Sequence, residues 1–269
     1  MRVAVVGHVE WVEFLRVPHV PAPGEIVHVS DWWSEPAGGG AVAAVQLCKL
    51  AGAADFFTAL GDDELGHRAF DELGALGLRL HVAWRDEPQR RAETFVDHHG
   101  ERTITVIGNR LVPRGDDPLE WSRLAEMDGV YFTGGDVDAL RAARAARVLT
   151  ATPRTLDTLR MAGVELDALV GSGRDAGERY ERGDIDPPPK LYVATLGREG
   201  GVVEPGGPFA APPLPGPVVD TYGAGDSFAA GLTYGLAARM DVPEAVALAV
   251  RCGAAALTGR GAIEGQLRL

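Results

Sequence analysis

The sequence predicts an α/β protein: a mostly parallel central sheet with helices on both faces, and a small β flap beside it. Three observations predict it. Short Val-rich or aromatic runs that read as buried strands alternate with stretches of helical periodicity. Other segments alternate apolar and polar residues, as half-exposed strands do, and such strands do not fit a sheet covered on both faces. The α/β pattern resumes after each Pro-rich stretch, so residues 1–269 read as one domain with flap segments at about 12–37 and 85–110 inserted in it.

Residues 2–6 read as a short buried strand ended by Gly7. Pro18, Pro21 and Pro23 make a stiff excursion, and residues 25–30 then alternate as a half-exposed strand. Gly38-Gly39-Gly40 opens an apolar helix that runs through Leu50 to Gly52. Residues 54–58 form a second buried strand. Asp62 or Asp63 can cap the next helix, whose Leu65, Ala69, Leu73 and Leu76 keep a helical period. Residues 92–97 and 103–107 alternate around a His99-Gly100-Glu101 turn, which predicts a β-hairpin. Buried strands are expected at 129–133, 167–170 and 190–195, with helices near 138–147 and 155–162 between them. Pro187-Pro188-Pro189 and 205–217 read as loops.

Composition excludes several classes. Hydrophobic residues make 46% of the chain and charged residues 24%, which rules out a disordered or collagen-like protein. With 38 acidic and 26 basic residues the formal charge is −12, so the footprint of a nucleic-acid binder is absent. Two cysteines, Cys48 and Cys252, cannot build a disulfide scaffold or a four-ligand zinc site and read as buried thiols in a reducing compartment. The first residues do not read as a signal peptide and no apolar run spans a bilayer, so a cytoplasmic protein without membrane contact is expected.

The segment that carries chemistry is Asp220-Thr221-Tyr222-Gly223-Ala224-Gly225-Asp226-Ser227-Phe228. Small residues at a helix start leave free N–H groups that form an anion site. A carboxylate there opposes simple phosphate binding. It suits a base that takes the proton of a hydroxyl attacking that phosphate, or it merely caps the helix.

This motif resembles that of the ribokinase-like, or PfkB, carbohydrate kinases. The resemblance spans nearly the whole chain: the first strand ending at Gly7, Gly38-Gly39, Gly61-Asp62-Asp63-x-x-Gly66, the flap hairpin and Thr195-Leu196-Gly197-x-x-Gly200 follow in the family's order. It implies a three-layer fold with a β lid and an ATP-dependent kinase acting on a hydroxyl or hydroxymethyl group of a sugar, with Mg²⁺ and an alkali cation such as K⁺. It implies Asp226 as catalytic base and the amides of Gly223, Ala224 and Gly225 as anion hole. Thr195, Gly197 and Gly200 would hold the nucleotide. Gly38, Gly39 and Gly40, with Glu10, would face the acceptor. Asp220 and the carbonyls of Ala256, Gly259 and Gly261 would hold the alkali cation.

The sequence departs from the family on the acceptor side. Val12 stands where an Asp is usual, with Glu10 and Glu13 nearby, and Ala43 where ribokinases carry Asn. The family's Asn-x-x-Glu, linked to magnesium, is replaced by Ser172-Gly173-Arg174-Asp175, with Glu178 beyond. Ser172 and Asp175 are therefore the expected magnesium residues. Tyr222 replaces a common small residue. His8, Trp11, Trp32 and Trp33 either shape the pocket or pack. Arg90, Arg91 and Arg102 lie in or beside the hairpin, either as solvated charge or meeting an anionic group of the substrate.

A sugar kinase is the leading expectation, with a nucleoside kinase and a non-catalytic sugar- or nucleotide-binding member as alternatives. A dinucleotide oxidoreductase lacks its Gly-x-Gly-x-x-Gly after the first strand. The flap's two-sided polarity invites either closure over substrate or pairing with a second copy, and a homodimer formed through the lid is the expectation.

Overall fold

The computed structural model describes residues 1–269. Nine strands form the main sheet in the order β13-β12-β11-β10-β9-β8-β1-β4-β5. They are β1 (Val3–Val6), β4 (Ala54–Gly61), β5 (Leu78–Arg85), β8 (Gly129–Phe132), β9 (Val148–Ala151), β10 (Ala168–Ser172), β11 (Tyr192–Thr195), β12 (Gly201–Glu204) and β13 (Gly207–Phe209). The sheet is parallel from β5 to β11, and only β12 and β13 are antiparallel additions at one edge.

Side-chain alternation along β1 shows the layering. Val3 and Val5 join the larger core, which the helices α1 (Gly38–Ala51), α2 (Glu64–Ala75), α5 (Ala224–Ala237) and α6 (Val242–Ala256) cover. Ala4 and Val6 point the other way, into a second core under α3 (Val137–Ala143) and α4 (Leu156–Ala162). A strand that is apolar on both faces requires this three-layer arrangement. Helix starts follow ordinary chemistry: Asp63 accepts from Gly66 N at the start of α2, and Asp241 with Glu244 forms a capping box on α6.

The lid is a separate four-stranded sheet, β3-β2-β6-β7, made of β2 (Glu10–Arg16), β3 (Asp31–Ala37), β6 (Arg91–Val96) and β7 (Arg102–Ile107). The hairpin thus lies outside the main sheet, as its alternation predicts. Three expectations need correction. Gly207–Phe209, within the expected 205–217 loop, form edge strand β13 against β12. Residues 25–30 form no strand: Ile26 is 86% exposed and Val29 42%, so the alternation has no face to bury, and the lid strands are 10–16 and 31–37 instead. Arg85 ends main-sheet strand β5, so the second lid segment starts at Arg91.

Both cysteines are free and buried. No helix is long and apolar enough to cross a membrane.

Candidate active site

Strands β1, β8, β9, β10 and β11 run the same way, so their carboxyl ends meet at one rim. His8, Thr133, Thr152, Gly171 and Thr195 stand there and line a cavity of about 320 Å³. This is where open α/β sheets bind ligands. The lid supplies the opposite wall through Glu10, Arg90, Arg102, Ile104 and Val106.

The floor is the start of α5. Gly223, at φ 74°, turns the buried Asp220–Tyr222 segment into the helix, a conformation that favours glycine. A methyl group on Gly223 would also lie 2.8 Å from Val42 Cγ1. Helix amides of the first turn have no intrahelical partner and carry the positive end of the dipole. Asp226 sits in this first turn, yet no side chain caps the helix. The capping reading of Asp226 therefore fails on geometry.

Asp226 is only partly exposed and faces the cavity with Gly39 close by: a methyl group on Gly39 would lie 2.9 Å from Asp226 Oδ1 and 3.1 Å from Thr133 Oγ1. Burial pushes its carboxyl up to about 6. The Glu178 charge adds to this and the guanidinium groups of Arg102 and Arg154 oppose it. That value suits a base operating near neutrality.

At the lid end, Arg90 Nε donates to Glu10 Oε1 at 2.7 Å, and His8 Nε2 stands 3.8 Å from the same oxygen. Burial, reinforced by Arg110 and Arg90, holds His8 well below the usual histidine range, so it is neutral.

On the other flank, Arg154 Nε donates to Glu178 Oε1 at 2.6 Å and its Nη2 to Asp175 Oδ2 at 2.5 Å. Glu178 lines the cavity; Asp175 and Ser172 do not. Asp175 also accepts from Gly177 N, while Ser172 Oγ accepts from the amides of Arg174 and Asp175. The carboxylate presented to the cavity on this flank is thus Glu178 rather than Asp175. The short helical turn at Ala176–Glu178 brings it there, and Ser172 N holds its Oε2.

Of the other sequence expectations, Gly38, Gly39, Glu10, Thr195, Gly223 and Gly225 reach the wall. Ala224, Gly40, Gly197 and Gly200 do not line it. Gly40 lets α1 approach the turn after β1: a methyl group there would lie 2.5 Å from His8 O. Gly200, at φ 87°, sits tightly under Phe209 where β12 begins. Trp11 is core, and Trp33 is stacked on Phe14 at 4.9 Å, so neither shapes the cavity; Trp32 is 67% exposed. Val12 and Ala43, at the acceptor-side departures, are both fully buried and lie off the cavity wall. Arg91 pairs with Glu13 outside it.

Behind the floor, Asp220 is fully buried and accepts from Tyr222 N at 2.9 Å and Gly261 N at 3.2 Å. Glu35 of β3 accepts from Ala262 N at 2.5 Å. Burial and the nearby Asp220 charge push Glu35 up to about 7 against the pull of that amide. Ala256 ends α6, and Gly259 and Gly261 lie in the loop that follows it; all three are buried.

Sequence reading missed Thr133, Thr152, Arg110 and Arg154 on the wall. Thr133 and Thr152 each follow the last residue of a buried strand, before Gly134 and Pro153, and that position was the available signal.

A parallel sheet whose strand ends, helix start and partly exposed carboxylate converge on a cationic cavity defines a phosphotransferase acting on small molecules. The chain belongs to the pfkB family of carbohydrate kinases, whose model matches residues 1–160 and 137–268. It is 31% identical to the ATP-dependent ribose-1-phosphate kinase of Halopiger xanaduensis over 97% of this chain and 94% of that one. It is 28% identical to a fructokinase of Klebsiella pneumoniae over 85% and 87%. The Arabidopsis thaliana ribokinase complexed with ribose and ATP shares the fold, with a TM-score of 0.74 at 19% identity, covering 99% of this chain and 96% of that one.

Proposed function

We propose that this carbohydrate kinase transfers the terminal phosphoryl group of ATP to a hydroxyl or hydroxymethyl group of a sugar, with Asp226 as general base. The observation that carries the assignment is the uncapped Asp226 carboxylate in the first turn of α5, facing the cavity beside Gly39. The acceptor O–H loses its proton to Asp226, the new O–P bond forms, and the bond from the terminal phosphorus to the bridging oxygen breaks to release ADP. The amides of Gly223, Ala224 and Gly225 and the guanidinium groups of Arg102 and Arg154 offset the charge of the transferred group. Thr195, with the Gly197 and Gly200 turn, lies on the nucleotide side. Gly38, Gly39 and Glu10 lie on the acceptor side, with Gly40 letting α1 approach.

No cluster of three His, Cys, Asp or Glu side chains suited to a metal is present. Magnesium keeps several waters and binds through one or two carboxylates plus substrate phosphates. Glu178, on the wall, fits that role, and magnesium there would neutralise phosphate charge. Asp220 fits an alkali cation: it is buried and its hydrogen bonds come only from the Tyr222 and Gly261 amides, so no ion pair offsets its charge. K⁺ there would supply that charge beside the α5 start.

The lid's outer strand β7 is exposed along its whole length and carries Ile107, 41% exposed, on an unpaired edge. This supports pairing with a second copy, which light scattering at micromolar concentration measures. A cytoplasmic setting suits an ATP-using enzyme with free thiols. Release of ADP from ATP with a panel of sugars and nucleosides tests the reading. Sugar binding without any turnover would instead indicate a non-catalytic member.

A further inference from the structure

The chain has 12 more acidic than basic side chains, yet four arginines line this one cavity: Arg90, Arg102, Arg110 and Arg154. Arg102 and Arg154 act on Asp226, where phosphoryl charge develops. Arg154 is further neutralised by Glu178 and Asp175. Arg90 and Arg110 both face Glu10 and His8; Arg154 reaches this group too, but its own charge is met by its two carboxylate partners. Glu10 is a single negative charge facing both, and Arg90 already holds its Oε1. Arg110 has no ion pair, and its neighbours Arg90 and Arg154 repel its charge. His8 adds no charge of its own, because burial keeps it neutral. One end of the cavity therefore holds a cationic pair that the protein does not balance.

We propose that the acceptor sugar itself carries a phosphate monoester, held by Arg90 and Arg110, so that the product bears two phosphates. The proposal deepens the kinase reading of this site and rests on it. Two guanidinium forks present several donors in a fixed plane, a match for phosphate oxygens. A phosphate monoester, with a charge of about −1.5 to −2 at pH 7, relieves the Arg90–Arg110 repulsion more fully than a carboxylate. The acceptor is then gripped at one end by these arginines, with its free hydroxyl directed to Asp226. The step is the one already written: the hydroxyl proton goes to Asp226 and ADP leaves.

The test uses ribose 5-phosphate, ribose 1-phosphate, fructose 1-phosphate and fructose 6-phosphate beside ribose, fructose and gluconate. Binding is read by calorimetry without nucleotide, and turnover by ADP release. At least one sugar phosphate is expected to bind and to exceed its parent sugar in kcat/KM by about 100-fold, in line with charge-assisted hydrogen bonds. Arg110→Met should raise the KM for that sugar phosphate about 10–100-fold with little change in the KM for ATP. Arg110→Lys, which keeps charge without the fork, should recover part of the loss. Equal use of a sugar and its phosphate, preference for gluconate, or a shift confined to the KM for ATP would overturn the proposal. Sugar-phosphate binding that Arg110→Met weakens, with no ADP released from any acceptor, would support the anion site while refuting the kinase reading.

Discussion

Thr221 donates both its backbone N–H and its hydroxyl to the carbonyl of Gly100, each at 3.2 Å. The first residue lies on the way into α5; the second is the tip of the lid hairpin. Arg102, the first residue of β7, returns a hydrogen bond to the Thr221 carbonyl and lays its guanidinium 5.6 Å from the centre of the Tyr222 ring. The lid and the phosphate-facing helix start are thus tied at one point.

Gly100→Ala should loosen that tie. Gly100 has φ 78°, and a methyl group there would lie 3.2 Å from Val219 O. Strain of this kind costs about 1–3 kcal/mol. Faster hydrogen exchange confined to the β6–β7 amides, with a raised KM for the acceptor, is the expected result. Unchanged exchange would mean that the lid is held elsewhere.

Asp226→Asn should lower kcat by about 10²–10⁴-fold while nucleotide still binds, because an amide cannot take the acceptor proton. In the wild type, kcat/KM should fall tenfold per pH unit below about 6, where burial and Glu178 place the Asp226 carboxyl. A profile flat down to pH 5 would exclude Asp226 as the base.

Glu178→Gln should raise the magnesium concentration needed for half-maximal rate about 10–100-fold, the usual effect of losing a carboxylate that acts on a metal through water. Asp175→Ala should shift the magnesium dependence much less: both carboxylates pair with Arg154, but only Glu178 lines the cavity. Magnesium titrations at fixed ATP compare the two, and the reverse order would return the role to Asp175.

Glu35→Gln should stabilise the protein at pH 8 and leave it unchanged near pH 4. The folded state pushes Glu35 up to about 7, above its ordinary value of 4.5, so between those values the native state binds the extra proton. Stability from this group is therefore greatest at low pH and is lost as pH rises towards and through 7. Thermal melts across pH 4–8, for wild type and variant, read the difference. Added K⁺ should narrow the gap at pH 8 if it lodges beside Asp220.

Much of the fold was legible because its signals are local. The Val3–Val6 run, the Gly38 helix start and the Asp220–Phe228 motif each carry their information within a few residues. The floor of the site was read for the same reason. Its walls were not. Thr133, Thr152 and Arg154 are distant in sequence and become neighbours only when parallel strands end at one rim. For Arg90 and Arg102 sequence leaves solvated charge and contact with a substrate anion both open, and only the lid's placement over the cavity puts them on its wall. The strand β5 did alternate in sequence, as Leu78, Leu80, Val82 and Trp84, whereas β9 is a four-residue run following an Ala-rich stretch and left little trace. Residues 25–30 misled because alternation alone does not supply a surface to cover.

The contrast between an acidic exterior and a cationic cavity also governs how anionic ligands arrive. An anion approaching from solution meets the field of the whole chain first, at a net charge of −12, and is repelled. The arginines dominate only at close range, since the screening length is about 8 Å at physiological ionic strength. Adding salt therefore removes a barrier to encounter while weakening the final grip. Association and residence time respond to ionic strength in opposite senses, so salt speeds turnover where capture is slow and where product release is slow alike.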